Sequence, residues 1–187
     1  MYKKCNKKPD KQKIRGYIYR NLAMREWARK MLFKKAVAKF EDASMVNEIL
    51  DEFQENGLLS NIRFAEAYIR SCRDSRGYGP IKTKMRLMEK GVSPSEYEHY
   101  LCENHDIWVI RCRKEREKKF GMMPDCIEDR AKQQRFLQQR GFNGKQIRYA
   151  FSVDLPFDEY EVELPEDENQ EKVSLEDLAL TKVSELK

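Results

Sequence analysis

The chain has no run of eighteen apolar residues, about the shortest stretch that would span a bilayer as a helix, so no transmembrane segment is expected. Its opening residues, MYKKCNKKPDKQK, carry no apolar core after the lysines, which argues against a secretory signal and makes the cytoplasm the expected compartment. Cysteine is sparse: Cys5, Cys72, Cys102, Cys112 and Cys126 are odd in number, scattered, and form no C-x-x-C pair, as expected of reduced thiols. His99, Cys102 and His105 fall three apart, but a structural zinc wants four ligands and no second cluster offers the fourth, so no metal is expected. Catalytic signatures are missing as well: there is no G-x-S-x-G, no H-E-x-x-H and no Cys–His pair at a familiar spacing. Gly77-Tyr78-Gly79-Pro80 lacks the lysine and hydroxyl of a phosphate loop and follows a helical pattern, so it reads as a turn. No segment shows convincing strand alternation. What remains is a non-enzymatic, all-α chain with no cofactor and no membrane partner.

Charge is abundant and unevenly spread. Of 187 residues 37% are charged and 40% apolar, a balance that suits solvated helices with thin cores. The net charge is only +5, yet residues 1–41 hold 14 Lys/Arg against 3 Asp/Glu, and residues 154–187 hold 3 against 12. A basic beginning and an acidic end on one chain point to a polyanionic partner and to something that competes with it. The acidic end is accordingly expected to shield the basic surface.

Helical periodicity orders the chain. Residues 1–13 read as a basic disordered arm. From Ile14 one helix, or two joined near Ala28, places Tyr17, Ile18, Leu22, Trp27, Leu32, Ala36 and Phe40 on one side. Ser44 is the expected cap of a helix bearing Val46, Ile49, Leu50 and Phe53, which Gly57 and Leu58 close. Ser60 then caps a helix with Ile62, Ala65, Tyr68, Ile69 and Cys72 inside, and Pro80 opens another with Met85, Leu87 and Met88 continuing the stripe. Ser93-Pro94-Ser95-Glu96 is a capped start, residues 104–120 form a further helix, and Asn143 opens the last, with Ile147, Ala150 and Phe151. Lys90-Gly91-Val92-Ser93 recurs as Arg140-Gly141-Phe142-Asn143, fifty residues on, and Lys39-Phe40-Glu41-Asp42 lies about as far back. The spacing predicts three tandem three-helix repeats, 14–57, 58–103 and 104–152, forming an elongated array with a groove, followed by an acidic tail over 153–187.

Basic residues recur in all three repeats. The candidates for binding are Arg25, Arg29, Lys30 and Lys34 in the first, Arg70, Arg76, Tyr78, Lys82, Lys84 and Arg86 in the second, and Arg135, Arg140, Lys145 and Arg148 in the third. In register they would form a stripe able to neutralise several phosphates, with Tyr78, set in a turn, the best placed ring for stacking on a base. A monomer that binds nucleic acid through its helical repeats is one reading of that pattern.

A second reading comes from resemblance. Gly57-Leu58, Arg63-Phe64-Ala65, Tyr68, Arg70, Gly77-Tyr78-Gly79-Pro80 and Gly91 are similar to the central signature of the bacterial RecX family. Leu22-Ala23-Met24-Arg25-Glu26-Trp27 resembles its first motif, and Arg135-Phe136-Leu137, Arg140-Gly141-Phe142 and Ile147-Arg148 its third. The resemblance implies a modulator of RecA that sits in the groove of the RecA–DNA filament, touches single- or double-stranded DNA weakly, and inhibits filament extension, ATP hydrolysis and strand exchange. It thus implies a role in recombination and repair. Two departures stand out: Ala28 replaces a capping serine and Phe40 replaces a glycine stop, so the first repeat is expected to run as one longer or bent helix.

Overall fold

A computed structural model describes residues 10–102 and 106–152; the basic arm up to residue 9 and the acidic tail from 153 lie outside the described residues. Within them the chain is all-α. The helices are α1 (Lys11–Met24), α2 (Arg29–Phe40), α3 (Ala43–Glu55), α4 (Asn61–Ser71), α5 (Pro80–Glu89), α6 (Pro94–Tyr97), α7 (Ile107–Phe120), α8 (Ile127–Arg140) and α9 (Gly144–Ala150). A π-helical turn, Cys72–Arg76, follows α4.

Caps set most of these limits. Asp10 accepts from the Gln12 amide, which starts α1 at Lys11 and takes 11–13 out of the expected disordered arm. Asp42, not Ser44, caps α3 by accepting from Met45 at 2.9 Å. A carboxylate two residues upstream outcompetes the hydroxyl because ionised acceptors bond amides more strongly. Ser60 and Asn143 cap α4 and α9 as expected, and Glu96 closes the capping box on the Ser93 amide at 2.7 Å.

The fifty-residue period is repeated bond for bond. Gly91 donates to Met88 and Val92 to Leu87; fifty positions on, Gly141 donates to Gln138 and Phe142 to Leu137. Both glycines take left-handed backbone, at φ +82 and +88. In the first group that place belongs to Glu41, at φ 57, its amide donating to Val37; the missing stop is therefore at 41, and Phe40 is the ordinary last residue of α2. A left-handed glutamate carries a cost of roughly 1 kcal/mol that glycine does not.

The first group of three helices has an apolar centre of its own. Ile14, Ile18, Trp27, Leu32, Ala36, Val46, Ile49, Leu50 and Phe53 form that of α1–α3. The expected single long helix is not formed: Arg25 at the end of α1 is extended, and α2 restarts at Arg29. Trp27 wedges between them, its indole N–H donating to the Asn21 carbonyl at 3.1 Å. The second group buries Phe64, Ala65, Tyr68, Ile69, Cys72, Leu87 and Tyr97; the third buries Trp108, Ile110, Cys112, Leu137, Phe142 and Ile147. Three readings of the inner face change. Ile62, Met85 and Met88 are exposed, while Phe64 and Thr83 are inside; Leu59 rather than Leu58 covers the end of α3. Hydrophobicity alone placed the methionines inside, but Pro80, Thr83 and Leu87 already fill the inner face of α5.

Candidate functional site

Two joints organise the basic residues, and both are built from the start of one group's middle helix seated on the glycine turn of the next group. At the second joint the backbone does the fastening. Gly79 donates to the Arg140 carbonyl at 2.8 Å and Ile81 to the Gly141 carbonyl at 3.1 Å, which satisfies amides the first turn of α5 cannot bond internally. The approach is so close that a Cβ on Gly79 would lie 2.4 Å from the Gly141 carbonyl oxygen. Side chains reinforce it: Lys82 Nζ donates to the Gln139 carbonyl at 3.1 Å, and Arg140 donates to the Arg76 carbonyl at 2.8 Å.

At the first joint α2 meets the Gly91 turn. Ala28 has no side-chain acceptor to cap α2, and the Arg29 amide instead donates at 2.9 Å to the side-chain Oδ1 of Asn61, from the start of α4. Asn61 is held in turn by Glu96, 2.9 Å from its amide nitrogen. The Lys30 stem lies over Gly91, where an added Cβ would meet its Cδ at 2.5 Å. Beside it is a shallow cavity of about 230 Å³ lined by Arg29, Lys30, Phe33, Asn47, Asn61 and Gly91.

The candidate residues divide accordingly. Arg76, Tyr78, Lys82 and Arg140 come together at the second joint; Arg29 and Lys30 come together at the first. Several candidates, at the joints and elsewhere, are already engaged. Arg29 pairs with Asp51 and donates to Asn47 at 2.8 Å, Arg70 pairs with Glu66 at 3.0 Å, and Arg86 with Glu89 at 2.8 Å. Arg25 stacks over the Trp27 ring at 4.0 Å, and the Lys82 ammonium sits 4.6 Å from the Tyr78 ring centroid, covering one face of it. Arg135 turns its Nε back to the Ala131 carbonyl at 3.3 Å. Lys34, Lys145 and Arg148 are exposed on α2 and α9, and Lys84 is half-buried on α5.

Two acids tune the electrostatics around the second joint: Glu115 lies 3.8 Å from Arg140, and Asp74 is the more tightly paired. Asp74 lies in the π-helical turn and receives Arg73 Nε at 2.9 Å and Arg111 Nη2, from α7, also at 2.9 Å. Partial burial acts to raise its pKa, but the two guanidiniums outweigh that and hold the carboxyl below its usual range. Burial and the adjacent Cys72 push Tyr68 up to about 12, and burial likewise raises the Cys72 thiol, so both stay neutral packing groups.

Sequence reasoning missed Asn61, Asp74 and the buried Arg116, which donates to the Met122 carbonyl at 3.3 Å. Asp74 had a signal, being the sole acid between Glu66 and Glu89. Asn61 had none, because its partner is 32 residues away. Among the described residues no cluster of His, Cys, Asp and Glu is arranged to hold a metal; His99 sets its ring edge-on to Tyr100, and His105 lies outside the described residues. No helix among them is long and apolar enough to cross a membrane.

Fold and joints define an all-α protein of consecutive three-helix domains locked end to turn. Models of the second and third three-helix domains of RecX match residues 62–101 and 111–151. The regulatory protein RecX of Halorhodospira halophila is 35% identical over 138 residues, which span 73% of this chain and 85% of that protein. That of Legionella pneumophila is 37% identical over 133 residues, 71% of this chain and 88% of that one. The chain belongs to the RecX family of regulatory proteins. A crystal structure of RecX from Lactobacillus salivarius shares the fold with a TM-score of 0.64 at 20% identity, covering 75% of this chain and 93% of that one.

Proposed function

We propose that the protein regulates RecA by binding the RecA–DNA filament in its groove and inhibiting extension, ATP hydrolysis and strand exchange, so tempering recombination and repair. Membership of the RecX family is the observation that carries this reading. The units are taken as three repeats, 14–57 (with α1 starting at Lys11), 58–103 and 104–152, of a cytoplasmic monomer, and the joints keep their basic residues in fixed relation. Lys30, Lys34, Arg135, Lys145 and Arg148, exposed on the first and third groups, are the phosphate contacts in this reading. Arg25, Arg70, Lys84 and Arg86 supply further positive potential, while Arg29, Arg76, Tyr78, Lys82 and Arg140 act chiefly by holding the frame.

The test is RecA's single-strand-dependent ATP hydrolysis with this protein added well below the RecA concentration. Loss of turnover at such ratios is expected, because a filament modulator acts on many subunits at once. The competing reading, a helical nucleic-acid binder without RecA specificity, draws on the same exposed cations. It predicts suppression only when the DNA itself is saturated, and affinity for bare DNA falling about a thousandfold across a fourfold rise in salt if six phosphates are met.

A further inference from the structure

The solvent side of α5 is apolar where it ought to be polar. Pro80, Thr83 and Leu87 face the core, and a helix of this kind should present charged residues opposite them. Instead Ile81, Met85 and Met88 recur at i, i+4 and i+7 and stand 40%, 56% and 54% exposed. The middle helices of the other two groups show the ordinary pattern: α2 exposes four lysines and Ala38, and α8, beyond Ile127 at its first position, exposes only charged and amide side chains. Single exposed apolar residues mean little, but three in helical register on one face are a surface. Its flanks are cationic. Lys82, Lys84 and Arg86 lie on the same helix, whose one acid, Glu89, is taken up by Arg86.

We propose that the outer face of α5 is a docking surface for an amphipathic helix with an acidic polar face, belonging to the protein on which this chain acts. The proposal rests on the RecA reading above and adds to it the surface and the chemistry of the contact. Nucleic acid is the poorer occupant. Phosphates are met by cations and by N–H or O–H donors, and bases stack on flat rings, whereas thioethers offer none of these. Unbranched methionines adapt to the apolar ridge of a crossing helix, and the flanking cations then meet its carboxylates. Charge complementarity thus selects the partner, and the apolar stripe fixes its register.

The probe is purified RecA, with and without single-stranded DNA, against wild type and the Met85→Gln/Met88→Gln double variant. Glutamine keeps side-chain length and helix propensity at exposed positions, so the fold should survive. If the double variant melts well below wild type, Met88→Gln alone is read instead. Affinity for DNA-free RecA is expected to fall at least tenfold, with affinity for bare single-stranded DNA unchanged within twofold. Lys84→Glu should weaken RecA binding in the same assay, by a smaller factor. Wild type that binds RecA while the variant binds equally well overturns the docking surface and leaves the RecA reading standing. A parallel loss of DNA affinity makes nucleic acid the occupant and also overturns it. Wild type that never binds RecA removes both the reading and the surface.

Discussion

The two joints have the same plan and different materials. Where α5 meets the Gly141 turn, two main-chain bonds cross directly and the backbones nearly touch. Where α2 meets the Gly91 turn, one asparagine side chain bridges the gap, a lysine stem covers the glycine, and a small cavity remains. Main-chain fastening tolerates almost any change of side chain but no added Cβ; side-chain fastening tolerates added atoms and depends on identities. The same supersecondary unit can therefore be rigid at one end and adjustable at the other.

The sharpest test compares alanine at the two turn glycines. Both pay for left-handed backbone, about 1 kcal/mol. A Cβ at Gly141 would additionally lie 2.4 Å from the Lys82 amide nitrogen, which cannot step aside, whereas at Gly91 it meets the Lys30 Cδ at 2.5 Å, which can swing away, and the Lys30 Cβ at 2.7 Å, which needs a smaller shift of α2. Gly141→Ala should cost about 3 kcal/mol or more in denaturant unfolding, and Gly91→Ala nearer 1 to 2. Equal losses would mean the joints do not differ.

Asn61→Ala should cost about 1 kcal/mol by uncapping α2. Ala28→Ser, which restores a local cap, should recover most of that loss in the double variant while changing little when Asn61 is present. Simple additivity in this cycle would show that Asn61 does not act as the cap.

Asp74→Asn probes the third group's tie to the second joint and should cost under about 1 kcal/mol near neutral pH. Because the folded carboxyl titrates below its unfolded value near 3.8, this contribution is complete above that pH and is lost as pH falls through the folded pKa. The stabilities of wild type and variant should therefore converge in acid. The smallest effect is a gain: Glu41→Gly relieves left-handed backbone but loosens the unfolded chain, for a net stabilisation of about 0.5 kcal/mol.

Local chemistry was what the sequence made legible. Ser60, Pro80, Ser93 and Asn143 act within three or four residues of themselves, and the glycine turns at 91 and 141 repeat visibly. Distant chemistry was hidden. Nothing near Asn61 announces that it caps a helix in another group, nor anything near Gly79 that its space is needed by Gly141. Basic candidates were easy to find but not to sort, since Arg29 and Arg140 differ from Lys34 only in what lies across from them. The methionines of α5 misled for the opposite reason: their hydrophobicity was plain, and only the filled inner face shows that they point outward.

Borrowing a cap from downstream also sets a schedule. On a ribosome adding 5–20 residues per second, the 32 residues between Arg29 and Asn61 take roughly 2–6 s to appear. Until then the nascent α2 has an open first turn, and Asn61 itself is steadied by Glu96 only after 35 more. The first group is thus made first but not completed until the second has emerged, its last bonds waiting on the segment that will become its neighbour.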